Sequence, residues 1–300
     1  MFRRAFLAAT AATFLMPAAL RAQDNSQPDE ETEMDTKAMT AGTAPVNGLE
    51  LYYEIHGNGR PLILLHGGVG AIEMFGPVLP LLAEGRQVIA VDLQAHGRTA
   101  DIDRPLSYEA MASDIAGLAE YLKLDRPDLM GYSLGGGVAL RAALDHGDRF
   151  GKVVLVSTPF ARQGWHDANL QGMAQMGPAV AEPMKNTPMY QLYSTLAPRP
   201  GDWPILLTKI GQMMVKDYDW SEEVKAIHNP VMIVVGDYDS VRIAHATHFF
   251  ELLGGGKADG GWDGSGMTPH RFAVLPGMTH YQIFMSPVMA EAVVPFLSAA

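Results

Sequence analysis

Residues 128–138, "DLMGYSLGGGV", set Ser133 between Gly131 and Gly135, behind an apolar run and ahead of a helix-like one. A serine hydroxyl is a weak nucleophile unless a neighbouring base takes its proton. Taken alone, the pentapeptide fits either a nucleophile or a polar residue in a glycine-rich turn. Three other stretches bear on the choice. "PGMTH" ends in His280, whose imidazole is the side-chain type suited to moving protons near neutrality. "GDYD" offers two carboxylates, Asp237 and Asp239, either of which can orient an imidazole and stabilise its cation. "HGG" at 66–68 is a turn rich in free backbone N–H groups, the donor type that stabilises an oxyanion.

These residues need a scaffold that brings them to one place. "RPLILLHGG", "QVIAVDLQAHG", "PDLMGYS", "KVVLVSTP", "PVMIVVGDYD" and "HRFAVLPGMTH" each contain a short, continuously apolar run, and "GLELYYEIHGNG" reads as a hairpin strand with its turn. Continuous apolar runs suit parallel strands covered on both faces. Helical patterns fall between them, at 71–84, 107–124, 134–146, 241–253 and 287–299. In the second, Ile115, Leu118, Ala119 and Leu122 recur at helical spacing behind Ser107, a suitable N-cap. Strands alternating with helices predict an α/β fold: a mostly parallel central sheet flanked by helices. Ligands bind such sheets beyond the carboxyl ends of the strands. His66-Gly67-Gly68, Ser133, the Asp237/Asp239 pair and His280 all follow apolar runs, so all are expected at that one end.

The alternation lapses between about 160 and 229. This interval holds Trp165, Tyr190, Tyr193, Trp203, Tyr218, Trp220 and methionines 173, 176, 184, 189, 213 and 214, punctuated by prolines. A segment this long is not a bare loop in a compact domain. A helical insertion covering one end of the sheet is expected. Its methionines serve either as core filler or as an adaptable apolar pocket wall.

Taken together, "HGG" at 66–68, "DLQAHGRT" at 92–99, "GYSLGG" at 131–136, "GDYD" at 236–239 and "PGMTH" at 276–280 resemble the α/β-hydrolase superfamily, in its serine-esterase-like branch with a helical cap. The resemblance covers about residues 47–300. It implies Ser133 as nucleophile on a strand-to-helix elbow, His280 as base, and Asp239 rather than Asp237 as acid. It also implies an oxyanion hole from the backbone N–H groups of Gly68 and Leu134. His66 and His96, each inside a loop motif, are expected to be structural. Ala95 stands where the family often has glycine, in a position that shapes a turn. Relatives that open epoxides or cleave carbon–halogen bonds place an aspartate where Ser133 stands, which disfavours those reactions. The expected function is a hydrolase of carboxylic esters working through an acyl-enzyme, with no organic cofactor and no metal. Lactonase, amidase or peptidase, carbon–carbon bond hydrolase and cofactor-free perhydrolase chemistry remain open on the same triad. So does a ligand-binding member of the fold that does not turn over. Fold analogy does not choose among them.

Composition narrows the partners. The net charge is −11, and the longest basic tract is Arg3-Arg4, which argues against nucleic acid. The chain has no cysteine, so disulfides and thiolate chemistry are excluded. Residues 1–22 have a basic start and an apolar stretch, with Ala22 as a small residue before Gln23. This is the layout of a secretory signal peptide, and "RRAFL" resembles the twin-arginine export signal. Their removal takes away three arginines and no acid, so −11 becomes −14. Residues 23–45 are polar and acidic and are expected to form a disordered spacer ahead of a single domain at 46–300. The mature protein is expected to be periplasmic or secreted, without stable membrane insertion, and to act on a small, neutral, largely apolar ester.

Overall fold

A computed structural model describes residues 40–299; the signal-peptide expectation for 1–22 and most of the acidic spacer lie outside the described residues. The strands are β1 (Thr40–Val46), β2 (Leu49–His56), β3 (Arg60–Leu65), β4 (Arg86–Val91), β5 (Asp128–Tyr132), β6 (Val153–Val156), β7 (Val231–Tyr238) and β8 (Arg271–Thr279). They form one sheet in the order β1-β2-β4-β3-β5-β6-β7-β8. β1 and β2 pair antiparallel, β2 joins β4 antiparallel, and every later pairing is parallel.

The apolar runs follow from burial on both faces. Successive strand side chains point to opposite sides. In β3, Ile63 and Leu65 face the core shared with α2 (Tyr108–Tyr121), α3 (Leu134–His146) and α8 (Ile243–Leu252), where Ile115, Val138 and Phe249 meet them. Leu62 and Leu64 face the other core, packed by α1 (Val78–Ala83) and α9 (Pro287–Ser298) through Leu82, Val293 and Phe296. A strand enclosed on both sides has no polar face to alternate with. α2 starts where expected: the Ser107 hydroxyl accepts the Ala110 amide at 3.1 Å.

The domain begins earlier than expected. β1 starts at Thr40, inside the segment read as spacer, and pairs with β2 from Thr40–Ile55 to Val46–Leu49. Its residues, TAGTAPV, are small, and only Ala44 and Val46 are buried. An edge strand needs few large side chains when its hydrogen bonds to a neighbour hold it, so composition alone resembled a linker. The hairpin turn is Asn47-Gly48, both with positive φ (49° and 84°), as a two-residue turn requires.

Between β6 and β7 lie α4 (Asp167–Ala174), α5 (Pro188–Leu196), α6 (Trp203–Met214) and α7 (Ser221–Lys225), the helical insertion expected at 160–229. Its base is closed by single bridges, Ala161 to Asp219 and Trp165 to Val241. On another side Lys209 on α6 donates to Asp101 and to the carbonyls of Ile102 and Arg104. Trp203, Tyr193, Trp220 and Met213 are buried in the shared core, and Tyr190 and Tyr193 pack around Trp203. These four are core filler, which answers part of the question the composition left open.

Candidate active site

The strand β5 ends at Tyr132 and α3 begins at Leu134, so Ser133 alone makes the turn. It does so at φ 52°, a region costly for a residue with a Cβ. The flanking glycines are dictated by contact. A methyl group at Gly131 would lie 2.2 Å from the Gly135 carbonyl oxygen, and one at Gly135 would lie 2.4 Å from the carbonyl oxygens of Leu65 and His66. Backbone cannot yield as a flexible side chain can, so both positions exclude any larger residue. The turn is held by Ser133 N–H donating to Val156 O at 2.9 Å and by the Thr158 hydroxyl donating to Ser133 O at 3.0 Å.

His280 follows β8 and reaches Ser133 with Nε2 3.1 Å from Oγ. Its Nδ1 is 2.9 Å from Asp239 Oδ1. An ionised carboxylate can only accept, so Nδ1 carries the proton and Nε2 is free to accept from the serine hydroxyl. The His280 loop is fixed by the Tyr132 hydroxyl, which donates to the His280 carbonyl at 2.7 Å. Trp165, from the start of the insertion, stands edge-on to the imidazole with centroids 5.4 Å apart.

Asp239 is buried and accepts four hydrogen bonds: from His280 and the Val241 amide on Oδ1, and from the Ser157 hydroxyl and the Gly236 amide on Oδ2. Burial pushes its carboxyl up, but the His280, Ser157 and Gly236 donors more than offset this and hold it below the usual carboxylate range. Asp237 goes elsewhere. The β7–β8 register shifts between Gly236 and Tyr238, and Asp237 lies exposed, accepting only the Met278 amide at 3.1 Å. The structure therefore brings Ser133, His280 and Asp239 into one chain of contacts and leaves Asp237 out of it.

The 66–68 turn lies alongside. A methyl group at Gly67 would sit 3.5 Å from Ser133 Cβ, and one at Gly68 3.8 Å from Leu134 Cβ. Leu134 opens α3, so its amide has no partner within the helix. Neither it nor the Gly68 amide donates to a protein acceptor among the described residues. His66 and His96 brace this turn. His66 Nδ1 donates to Gly67 O at 2.7 Å while Nε2 accepts the Leu93 amide; His96 Nδ1 donates to Gln94 O while Nε2 accepts the Val69 amide at 3.1 Å. Burial pushes the two imidazoles down to about 3 and about 4, so both stay neutral. Ala95, at φ 65°, makes its turn without glycine.

From the insertion, Met214 at the end of α6 reaches the same turn, its Cε 3.5 Å from where a Gly68 methyl would be. Met214 and Trp165 thus meet the site. Ser157 is the residue that sequence reasoning missed. Nothing in "VSTPF" marks its hydroxyl as a donor to a carboxylate 82 positions away.

The arrangement supplies a serine hydroxyl, a base on it and a buried carboxylate behind the base, with two amides, in the adjoining turn and at the start of α3, that have no protein acceptor among the described residues. That set can transfer an acyl group to serine. Among the described residues no cluster of three or more His, Cys, Asp or Glu could hold a metal ion, and no helix is long and apolar enough to cross a membrane.

Comparison with known proteins gives the same architecture. The sequence model for the alpha/beta hydrolase fold matches residues 60–197. The uncharacterized hydrolase YugF of Bacillus subtilis is 35% identical over 114 residues, covering 37% of this chain and 42% of that protein. The chain spans about two-fifths of the length of the curated relatives it matches. The carboxylesterase CesB of Bacillus subtilis superposes with a TM-score of 0.67 at 18% identity, covering 87% of this chain and 92% of that one. The enol-lactonase of Burkholderia xenovorans does so at 0.64 and 21%, covering 86% and 100%.

Proposed function

We propose that this chain, which has the α/β-hydrolase fold, is an exported serine hydrolase that cleaves carboxylic esters. One observation carries the reading: Ser133 Oγ, His280 Nε2, His280 Nδ1 and Asp239 Oδ1 form a continuous relay at 3.1 and 2.9 Å. In the proposed cycle Ser133 Oγ attacks the ester carbonyl as His280 Nε2 takes its proton. Gly68 N–H and Leu134 N–H donate to the oxyanion, and Asp239 stabilises the imidazolium. His280 returns the proton to the departing alkoxide, leaving an acyl-serine. A water that loses its proton to His280 then releases the acid and restores Ser133.

The substrate is proposed to be neutral, small to medium and largely apolar. Five of the six cations of the insertion are tied into ion pairs: Arg162 with Asp217, Lys185 with Glu182, Arg199 with Asp202, Lys209 with Asp101 and Lys225 with Glu222. Met214 and Trp165 are the insertion's side chains beside Gly68 and His280. Apolar walls of this kind bury a ligand that a few polar groups orient.

The test is a panel of matched p-nitrophenyl esters (neutral and carboxylated), lactones, amides and carbon–carbon substrates, run on the purified chain and on Ser133→Ala. The reading expects esters to head the panel by kcat/KM, neutral ahead of anionic, and Ser133→Ala to be inactive on all. Faster cleavage of another bond class removes the ester assignment, and an active Ser133→Ala removes the serine mechanism. Export rests on residues 1–22 and is tested by the N-terminus of the protein recovered from its host. A start near Gln23 outside the cytoplasm supports it, and an intact Met1 in the cytoplasm refutes it.

A further inference from the structure

We propose that Ser157 is a positioning residue of the catalytic relay, coupling the Asp239 turn to the nucleophile's elbow. The inference rests on the serine-hydrolase reading above.

Ser157 is the first residue after β6, fully buried. Its hydroxyl donates to Asp239 Oδ2, the oxygen that does not face His280. Of the four donors to Asp239, the Gly236 and Val241 amides belong to the same turn as the acid and move with it. His280 is the group to be positioned. Among the described residues Ser157 is therefore the only donor that fixes the carboxylate from a separate strand. The next residue, Thr158, donates its hydroxyl to the carbonyl of Ser133. Two adjacent hydroxyls at the end of β6 thus hold the acid on one side and the nucleophile's turn on the other.

The backbone holds the hydroxyl in place. Ser157 sits at φ 53°, where a residue with a Cβ is strained and glycine is not, and its amide is held by Val234 O at 2.8 Å. Serine at this position accepts the strain and delivers a hydroxyl to a buried carboxylate. Without that hydroxyl, the carboxylate is held against His280 Nδ1 only by the Gly236 and Val241 amides of its own turn. The cost falls on the step in which His280 becomes charged and not on substrate binding, because Ser157 is fully buried and acts through Asp239.

The experiment compares Ser157→Ala and Ser157→Gly, each alone and combined with Asp239→Asn, in the full chain. It reads kcat and KM on a neutral p-nitrophenyl ester, the rate of inactivation by a fluorophosphonate, and thermal melting. Both single variants are expected to lower kcat and the inactivation rate by about 10- to 100-fold, the range for losing a hydrogen bond to a charged group, with KM nearly unchanged. In Ser157→Gly the relief of φ 53° offsets part of the lost hydrogen bond, so this variant should still melt cooperatively and above Ser157→Ala, and a loss of activity there is not a loss of fold. In the Asp239→Asn background either change should cost less than about threefold, because Ser157 acts through Asp239. Full activity in Ser157→Gly, or costs that simply multiply with that of Asp239→Asn, would overturn the proposal. Wild-type protein that fails to react with the fluorophosphonate, or a Ser133→Ala variant that still turns over, defeats the serine-hydrolase reading itself, and this inference with it.

Discussion

Replacing Asp239 with asparagine removes a charge and also presents an amide to a pocket containing only donors. His280 Nδ1–H and the Val241 amide point at Oδ1; the Ser157 hydroxyl and the Gly236 amide point at Oδ2. The asparagine NH2 must take one of these two places. At the Oδ1 place it opposes the Val241 amide, and His280 has to move its proton to Nε2 to accept from it, which leaves no acceptor for the Ser133 proton. At the Oδ2 place Ser157 can rotate to accept, but the Gly236 amide is orphaned, and His280 keeps its tautomer with no anion behind it. Either way one buried amide loses its partner, a destabilisation of about 1–3 kcal/mol. Either way the imidazolium loses its counter-charge, and the tautomer change in the serine-protease triad costs about 10⁴ in kcat. The expected result for Asp239→Asn is thus a folded protein with kcat down by roughly 10³–10⁴. Asp237→Asn should keep near wild-type turnover, because an amide oxygen can still accept from Met278. Steady-state kinetics on a neutral ester, with urea unfolding of both variants, make the comparison. An Asp239→Asn enzyme within tenfold of wild type, or a larger loss from Asp237→Asn, would show that the acid has been misassigned.

Three further outcomes follow from the same contacts. Ser133→Gly should abolish turnover, a loss on the order of 10⁴–10⁶ in kcat, yet raise stability by roughly 1 kcal/mol by relieving φ 52°; melting and activity moving in the same direction would contradict it. Gly135→Ala forces a methyl group to 2.4 Å from two backbone carbonyl oxygens, so it should cost about 2 kcal/mol or more, or leave the protein insoluble, and normal melting would refute the argument from close approach. His66 and His96 are held neutral at about 3 and about 4 by burial, so between these values and about 6.5 the unfolded chain takes up protons that the folded chain refuses. Stability contributed by the two rings is complete above that range and is lost as pH falls through it, at about 1.4 kcal/mol per pH unit for each ring; urea midpoints at pH 7, 6 and 5 test this, and a flat profile would refute it.

Much of this protein was legible without coordinates because the deciding interactions are local. Apolar runs such as "PLILL" suit strands buried on two faces, and their alternation with helical patterns predicts the parallel sheet and the strand ends that carry Ser133 and His280. Gly131 and Gly135 are spaced by the elbow itself, and the helix patterns at 107–124, 134–146 and 287–299 landed on α2, α3 and α9. What the sequence left open depended on contacts between distant segments. Two aspartates in "GDYD" are equivalent in type. The register shift after Gly236 sends Asp237 to solvent and turns Asp239 toward His280. β1 escaped notice because its stability comes from hydrogen bonds to β2, to which its small side chains give no clue. The aromatics and methionines of the insertion could be sorted into core, such as Trp203, and site neighbours, such as Met214, only once the helices were packed. Ser157 is the clearest case. A serine after a strand has no periodicity or spacing that announces a partner, and its role exists only because β6 and β7 lie side by side and deliver a hydroxyl to a carboxylate far along the chain. Backbone form and side-chain periodicity are written in neighbouring residues; which polar group meets which is decided by tertiary packing.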